Sequence, residues 1–330
     1  MSTPSARIGV VGAGRMGRGI ALSYIFAGKR LLLVDLKQRS SDERAALIKS
    51  AQAELTQDLN FLAKMGLLNQ VRIEDVVSRV SFSHRDDPAR PLQHCEIVFE
   101  GVPEVMDAKR DAFAYISAEV SDTAIIASTT STFIVTDLAK LVTEPSRFLN
   151  AHWLNPAHLM PLVEISKGEQ SSQENIDRMI ASLESIGKVT VVCAASAGYI
   201  VPRIQALAMN EAARLVEEGV ASAEDVDKAV NVGFGLRFAV LGLLEFIDWG
   251  GGDILHYASA YLSANVGERY EAPKIIGDNM AQGKNGIRDG QGFFDYRDMD
   301  AEAYRAKRMS DFVSLLKYRE LLPQYQDTDD

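Results

Sequence analysis

The segment that most restricts what this chain can fold into runs Ile8-Gly9-Val10-Val11, then Gly12-Ala13-Gly14-Arg15-Met16-Gly17, then Gly19-Ile20-Ala21-Leu22-Ser23-Tyr24. An apolar run, glycines spaced G-x-G-x-x-G and an apolar stretch at helical spacing read as strand, tight turn and helix. The first glycine permits the turn, the second lets a phosphate group approach the backbone, and the third lets helix pack on strand; the helix start adds unpaired N–H donors. Alone, such a turn is a weak signal. Here it precedes Arg30-Leu31-Leu32-Leu33-Val34-Asp35, a buried strand ending in a carboxylate 21 residues beyond Gly14, where the ribose hydroxyls of a dinucleotide need an acceptor. Gly12, Gly14, Arg15, Met16, Gly17 and Asp35 are therefore the expected cofactor-binding residues. Asp35 repels a 2′-phosphate and so favours NAD over NADP, with Lys37 and Arg39 just beyond it pulling the other way.

Short Val/Ile/Leu runs then alternate with amphipathic stretches, falling at 8–11, 31–34, 97–100, 124–128, 148–152, 162–166 and 189–193. This alternation predicts an α/β fold with a doubly wound parallel sheet. Residues 40–65 carry apolar positions at helical spacing and predict one or two exposed helices. Beyond Gly198 the pattern is helical almost throughout, with helices expected over 200–218, 223–231, 239–249 and 299–322. The expected division is 1–196 for the cofactor-binding sheet domain and 197–330 for a helical domain, with the acidic 327–330 end as a frayed tail.

With 330 residues and 47% hydrophobic content the chain has material for two cores. A net charge of −10 argues against nucleic acid or an anionic membrane as the main partner. No apolar run approaches about 18 residues and residues 1–6 are polar, so neither a membrane span nor a signal peptide is expected, and the cytoplasm is the expected location. Cys95 and Cys193 are widely separated within strand-like segments, which reads as buried reduced thiols, and no metal-ligand cluster stands out. A small-molecule substrate is the expected partner.

The candidate chemistry lies in His152-Trp153-Leu154-Asn155-Pro156-Ala157-His158 and, a few residues on, Glu164. The flanking strand-like runs place the histidines and the Asn-Pro on the connecting segment, where functional groups are commonly presented. A neutral imidazole takes a proton near pH 7, and a carboxylate on its other nitrogen fixes the tautomer and stabilises the imidazolium. A structural histidine in a turn is the competing reading.

Together these residues resemble the L-3-hydroxyacyl-CoA dehydrogenase family over nearly the whole chain. The matching features are the Gly12 to Gly17 turn, Glu104 with Lys109 as an E-x4-K pair, Ser128-Thr129-Thr130-Ser131, the H-x-x-N-P of His152 and Asn155, Glu164 twelve residues beyond the histidine, and the helical part after Gly198. The resemblance implies a Rossmann-type doubly wound sheet followed by an all-helical C-terminal domain. It implies NAD-dependent, reversible oxidation of an L-3-hydroxyacyl group to the 3-oxo form, on a short 3-hydroxyacyl-CoA such as 3-hydroxybutyryl-CoA. By the same resemblance His152 is the acid-base residue oriented by Glu164, and Ser131 and Asn155 bind the reacting substrate oxygen. Glu104 and Lys109 would contact the ribose or nicotinamide side of the cofactor, with a surface salt bridge as their competing reading. A homodimer through the helical domain is implied as well.

Departures from the family pattern bear on the substrate. Pro202 stands where the family's G-[FY]-[IV]-V-N-R segment has Asn, which removes an amide donor, and Thr129 replaces a usual Asn. Gly233-Phe234-Gly235-Leu236-Arg237-Phe238 replaces a His-Pro-x-Gly-Pro segment and resembles relatives that oxidise free hydroxy acids, such as carnitine and gulonate dehydrogenases and lambda-crystallin. In that reading Arg237 binds a substrate carboxylate with its planar fork; a helix-surface arginine is the alternative. A dehydrogenase of a small free 3-hydroxy acid and a non-catalytic NAD-binding protein are thus the other readings. The β-hydroxyacid dehydrogenases that resemble 6-phosphogluconate dehydrogenase use a lysine base on a helix of the second domain, and residues 198–218 contain no lysine.

Overall fold

A computed structural model describes residues 7–323; the polar start and the acidic end read as a frayed tail lie outside the described residues. The chain divides into two compact units, Met1–Ala208 and Met209–Asp330.

The first unit runs β1 (Ile8–Val11), α1 (Arg15–Phe26), β2 (Leu31–Asp35), α2 (Ser41–Lys64), α3 (Ile73–Val77), β3 (Val80–His84), β4 (Ile97–Glu100), α4 (Met106–Glu119), β5 (Ile125–Ser128), α5 (Val135–Leu138), β6 (Phe148–Trp153), β7 (Leu162–Lys167), α6 (Gln173–Glu184) and β8 (Val189–Ala194). Its strands form one sheet in the order β3-β2-β1-β4-β5-β6-β7-β8. Two corrections to the expected sheet follow. An eighth strand, β3, is added at the edge; its Val-Ser-Phe-Ser-His buries only Val80 and His84 fully, so it carries no continuous apolar run to announce it. The sheet is also not wholly parallel, because β7 runs antiparallel to β6. The 154–161 connection is too short for a crossover, and a short connection leaves only the hairpin pairing.

Central strands buried on both faces explain why the sequence reads as apolar runs rather than alternation. Successive residues point to opposite faces. Val10, Leu31, Leu33 and Phe99 enter one core with α1, α2 and α6, while Val11, Leu32, Val34 and Val98 enter a second core with α4 and α5. Trp153 meets Phe99 edge-on at 5.8 Å in the first core, and Phe113 meets Phe148 edge-on at 5.3 Å in the second. The stretch read as one or two exposed helices is the single helix α2, started by a capping box of Ser40 and Glu43 and anchored by Ala51, Leu55, Leu59 and Leu62.

Helix α7 (Val201–Glu217) spans the division between the units. The second unit continues with α8 (Ala223–Ala229), a π turn over Val230–Phe234, α9 (Gly235–Val240), α10 (Leu243–Gly250), α11 (Gly252–Asn265), α12 (Lys274–Ala281) and α13 (Ala301–Tyr318). The helix expected over 239–249 is broken: Leu241 and Gly242 are extended, and α10 starts afresh at Leu243, capped by Gly242, whose N–H donates to the Glu245 carboxylate. Helices α11 and α12 were not among the expected elements. Among the described residues no single helix is long and apolar enough to cross a membrane.

The three turn glycines differ in what a side chain would meet. A Cβ on Gly17 lands 1.9 Å from the Gly12 carbonyl oxygen, whereas one on Gly14 meets nothing within 4 Å. Gly17→Ala is therefore expected to lower the thermal midpoint by several degrees or prevent folding, and Gly14→Ala to leave it within about 2 °C. Calorimetry of both variants checks this.

Candidate active site

Parallel strands present their carboxyl ends to a ligand, and the order of this sheet reverses between β1 and β4. At that point lies a cavity of about 550 Å³ lined by Gly12, Ala13, Gly14, Arg15, Asp35, Lys37 and Arg39 on one side and Gly101, Val102 and Pro103 on the other. Gly12 has φ +116°, and a Cβ there would meet the Gly101 carbonyl oxygen at 2.5 Å, so only glycine lets the two turns approach. Helix α1 has no side-chain cap, which leaves the N–H groups of Arg15, Met16 and Gly17 for an anion, while the Met16 side chain packs on the core. The open space over Gly14 and the acceptor at Asp35 fit a dinucleotide. Asp35 accepts from Arg39 Nε at 2.6 Å. That pairing occupies the guanidinium which otherwise favours a 2′-phosphate, and it leaves Oδ1, 3.4 Å from the Lys37 amide, for a ribose hydroxyl. Another cavity, about 600 Å³, lies around the starts of β1 and β4, between Ile8, Lys29, Ile97 and Arg178, and contains none of these groups.

His152 is not on the connecting segment, as its sequence context suggests, but within β6, directly opposite Glu164 on β7. The strand runs on through Trp153, so the twelve-residue spacing is the register of an antiparallel pair. His152 Nδ1 donates to Glu164 Oε2 at 2.8 Å, and Glu164 Oε1 accepts from the backbone N–H of Ile200 at 3.0 Å and of Val201 at 2.9 Å. Glu164 is fully buried and spends both oxygens on donors. The imidazole stacks on Tyr199, with centroids 5.0 Å apart and planes within 9°. Nδ1 is thereby the donor, and Nε2 is left to take and return a proton.

Tyr199 connects this pair to the loop after β5. Its hydroxyl donates to the Thr130 carbonyl at 2.8 Å and accepts from Asn150 Nδ2 at 3.0 Å. Burial pushes the phenol's pKa well up, which keeps it a donor. Ser131, beside Thr130, is exposed on this loop. The loop is held from below by Glu104, whose Oε1 accepts from the Thr130 hydroxyl and from Thr132 N–H at 3.1 Å. Burial works to raise the Glu104 pKa, but bonds from Thr130, Lys109 and Thr132 outweigh it and hold the carboxyl below its ordinary value.

Lys109 is not part of a surface salt bridge. It is 1% exposed, with its ammonium 3.0 Å from both Glu100 and Glu104. Glu100, fully buried, also accepts from Ser128 at 2.6 Å and from Val102 N–H at 2.8 Å. Lys109 thus stands behind Glu104 and aligns it. Glu100, Asn150 and Tyr199 were assigned no role from sequence. The signal for Glu100 is an acid closing an otherwise apolar strand, and the signal for Tyr199 is its place beside Gly198.

Asn155 is exposed and lines a separate cavity of about 360 Å³ with Arg15, Arg18, Glu54, Asp58 and His158. Pro202 falls in the first turn of α7, where its missing N–H costs nothing. Arg237 lies on α9 in the second unit, exposed, with its guanidinium 4.7 Å over the Phe246 ring.

A glycine cradle at the sheet's switch point, with a carboxylate-oriented histidine in the same unit, defines an NAD-dependent oxidoreductase. Comparison with known proteins narrows the class. The profile of the 3-hydroxyacyl-CoA dehydrogenase NAD binding domain matches residues 7–196, and that of the 3-hydroxyacyl-CoA dehydrogenase C-terminal domain matches 198–296. The chain belongs to the 3-hydroxyacyl-CoA dehydrogenase family. It is 30% identical to a probable 3-hydroxybutyryl-CoA dehydrogenase of Deinococcus radiodurans over 88% of this chain and 100% of that protein. It is 28% identical to 5-formyl-3-hydroxy-2-methylpyridine 4-carboxylate 5-dehydrogenase of Mesorhizobium japonicum over 95% of this chain and 98% of that one. The crystal structure of a 3-hydroxyacyl-CoA dehydrogenase from Archaeoglobus fulgidus is similar at a TM-score of 0.75 and 29% identity, covering 96% of this chain and 99% of the other.

His152→Ala is expected to keep its affinity for NADH and to lose about 10²-fold or more in turnover, the usual scale for a general base. Fluorescence titration with NADH and steady-state kinetics check the two halves; undiminished turnover refutes the acid-base role.

Proposed function

We propose that this protein interconverts a short L-3-hydroxyacyl-CoA and its 3-oxo form, with 3-hydroxybutyryl-CoA as the representative substrate. The observation that carries the reading is the His152–Glu164 pair, set across two strands of the sheet that also holds the dinucleotide cradle. Bound NAD supplies the hydride acceptor. His152 Nε2 takes the hydroxyl proton of the substrate, Glu164 holds Nδ1 and balances the imidazolium, and the same nitrogen returns the proton in the reductive direction. Ser131 and Asn155 donate to the reacting oxygen; one well-placed donor to an oxygen that gains charge lowers a barrier by about 3 kcal/mol. Glu104, aligned by Lys109, lies toward the cofactor's ribose or nicotinamide side. The thioester is supported by relatives named as 3-hydroxybutyryl-CoA dehydrogenases.

A second reading is an acid with a free carboxylate. Its support is Arg237, exposed and without an ion pair among the described residues, together with a relative of nearly equal length whose named substrate is a pyridine carboxylate. A cytoplasmic homodimer completes the proposal. Exposed Ile254, Tyr257 and Tyr261 recur at helical spacing on α11 and supply an apolar stripe for pairing.

NADH oxidation with acetoacetyl-CoA and with free acetoacetate, compared as kcat/KM, separates the substrates. The thioester is expected to be preferred by at least about tenfold; preference for the acid, lost in Arg237→Ala, supports the second reading. Sedimentation at micromolar concentration is expected to give twice the 36.2 kDa chain mass, and a monomer refutes the dimer.

A further inference from the structure

Lys188 is a buried cation that the reaction described above does not use. It sits between Gly187 and β8, 7% exposed, with Nζ 2.6 Å from the Ala157 carbonyl oxygen and 2.8 Å from that of Met160. The Trp153 ring centroid lies 5.3 Å from the same ammonium. An ammonium has three donors; here two backbone carbonyls and an aromatic face surround it, and no carboxylate pairs with it among the described residues. Both carbonyls belong to the 154–161 connection, which leaves β6 one residue after His152 and carries Asn155. Ala157 also accepts from Ser23 of α1 at 3.2 Å, and Gly19 leaves room for its methyl, so the grip ties the connection to the dinucleotide helix.

We propose that Lys188 is a positioning residue for the dehydrogenase reaction: its ammonium clamps the 154–161 connection and so sets where Asn155 stands relative to His152. The proposal rests on the assignment of His152 and Asn155 to the reacting oxygen. A buried side chain of mere packing value would be served as well by methionine, whereas the two carbonyls require a donor and the ring face favours a cation.

The charge of Lys188 adds a signature that packing alone lacks. Burial lowers its pKa from 10.5 to about 8. Between these values the unfolded chain holds a proton that the folded one has released, so this group's contribution to stability rises with pH while its clamp loses charge assistance. Several titratable and charged groups lie around the connection. Burial holds His158 of the connection below the ordinary histidine value; Asp58 on α2 faces His158; Arg18 pairs with Glu54 at 2.7 Å on the wall of the same cavity; and burial pushes up the phenol of Tyr24, whose ring is 6.4 Å from Trp153.

The test compares wild type, Lys188→Met and His152→Ala by hydrogen exchange and by NADH-dependent reduction of acetoacetyl-CoA and acetoacetate. In K188M, exchange in peptides covering 154–161 is expected to quicken at least about tenfold with β4 and β5 unchanged. Turnover of whichever substrate reacts is expected to fall about tenfold at pH 7, with NADH affinity kept and the deficit relative to wild type shrinking toward pH 9.5. Wild-type exchange in 154–161, corrected for intrinsic base catalysis, is expected to rise above pH 8, which keeps the test decisive if K188M fails to fold. Unchanged exchange in 154–161, or unchanged turnover in K188M, overturns the clamp. Full activity in H152A instead overturns the reading on which the clamp depends.

Discussion

A carboxylate removed completely from water must find donors for its oxygens or it will not stay charged and buried, and Glu164 meets that condition with three. One donor comes from β6, as His152, and two from the backbone where α7 begins. These bonds fix at once the register of β7 against β6, the rotamer and tautomer of the histidine, and the entry of the chain into α7. Replacing any donor leaves a buried charge short of a partner, which commonly costs more than the bond itself is worth. His152 is therefore oriented by the same contacts that close the sheet.

The Glu100–Lys109–Glu104 cluster follows a related logic with a different product. Two carboxylates share one buried ammonium, and further donors from Ser128, Thr130 and two backbone amides complete their shells. Every donor lies on β5, on α4 or on a loop beside the cofactor cavity, so the cluster converts buried charge into loop geometry. Tyr199 reads the outcome from above: it grips the Thr130 carbonyl with its hydroxyl and His152 with its ring face. Its left-handed backbone, φ +46°, is uncommon for an aromatic residue and persists because both ends of the side chain are engaged.

Much of this was legible in the residues. The glycine spacing states its own steric reason: a Cβ at Gly12 or Gly17 would collide with backbone, whereas one at Gly14 meets open space. Strands buried on both faces announce themselves as apolar runs; the edge strand β3 does not, because serines occupy its middle. The direction of β7 was hidden because an apolar run has no polarity, and only the length of the preceding connection bears on it. For the site, His152 and Glu164 were visible as types at a spacing, but not as cross-strand partners. Lys109 and Lys188 look like ordinary surface lysines, since the carboxylates or carbonyls that permit their burial come from other elements. The break at Gly242 was masked by the apolar continuity of 239–249.

The division of each central strand between two cores has a consequence for how substitutions combine. Val10 and Val11 are joined by a peptide bond yet report to different cores, while Val10 and Phe99, 89 positions apart, sit side by side in register within one. Free-energy changes at Val10 and Val11 should therefore add nearly independently, and those at Val10 and Phe99 should couple, because they are neighbours in one core. In this protein epistasis runs across the sheet, not along the chain.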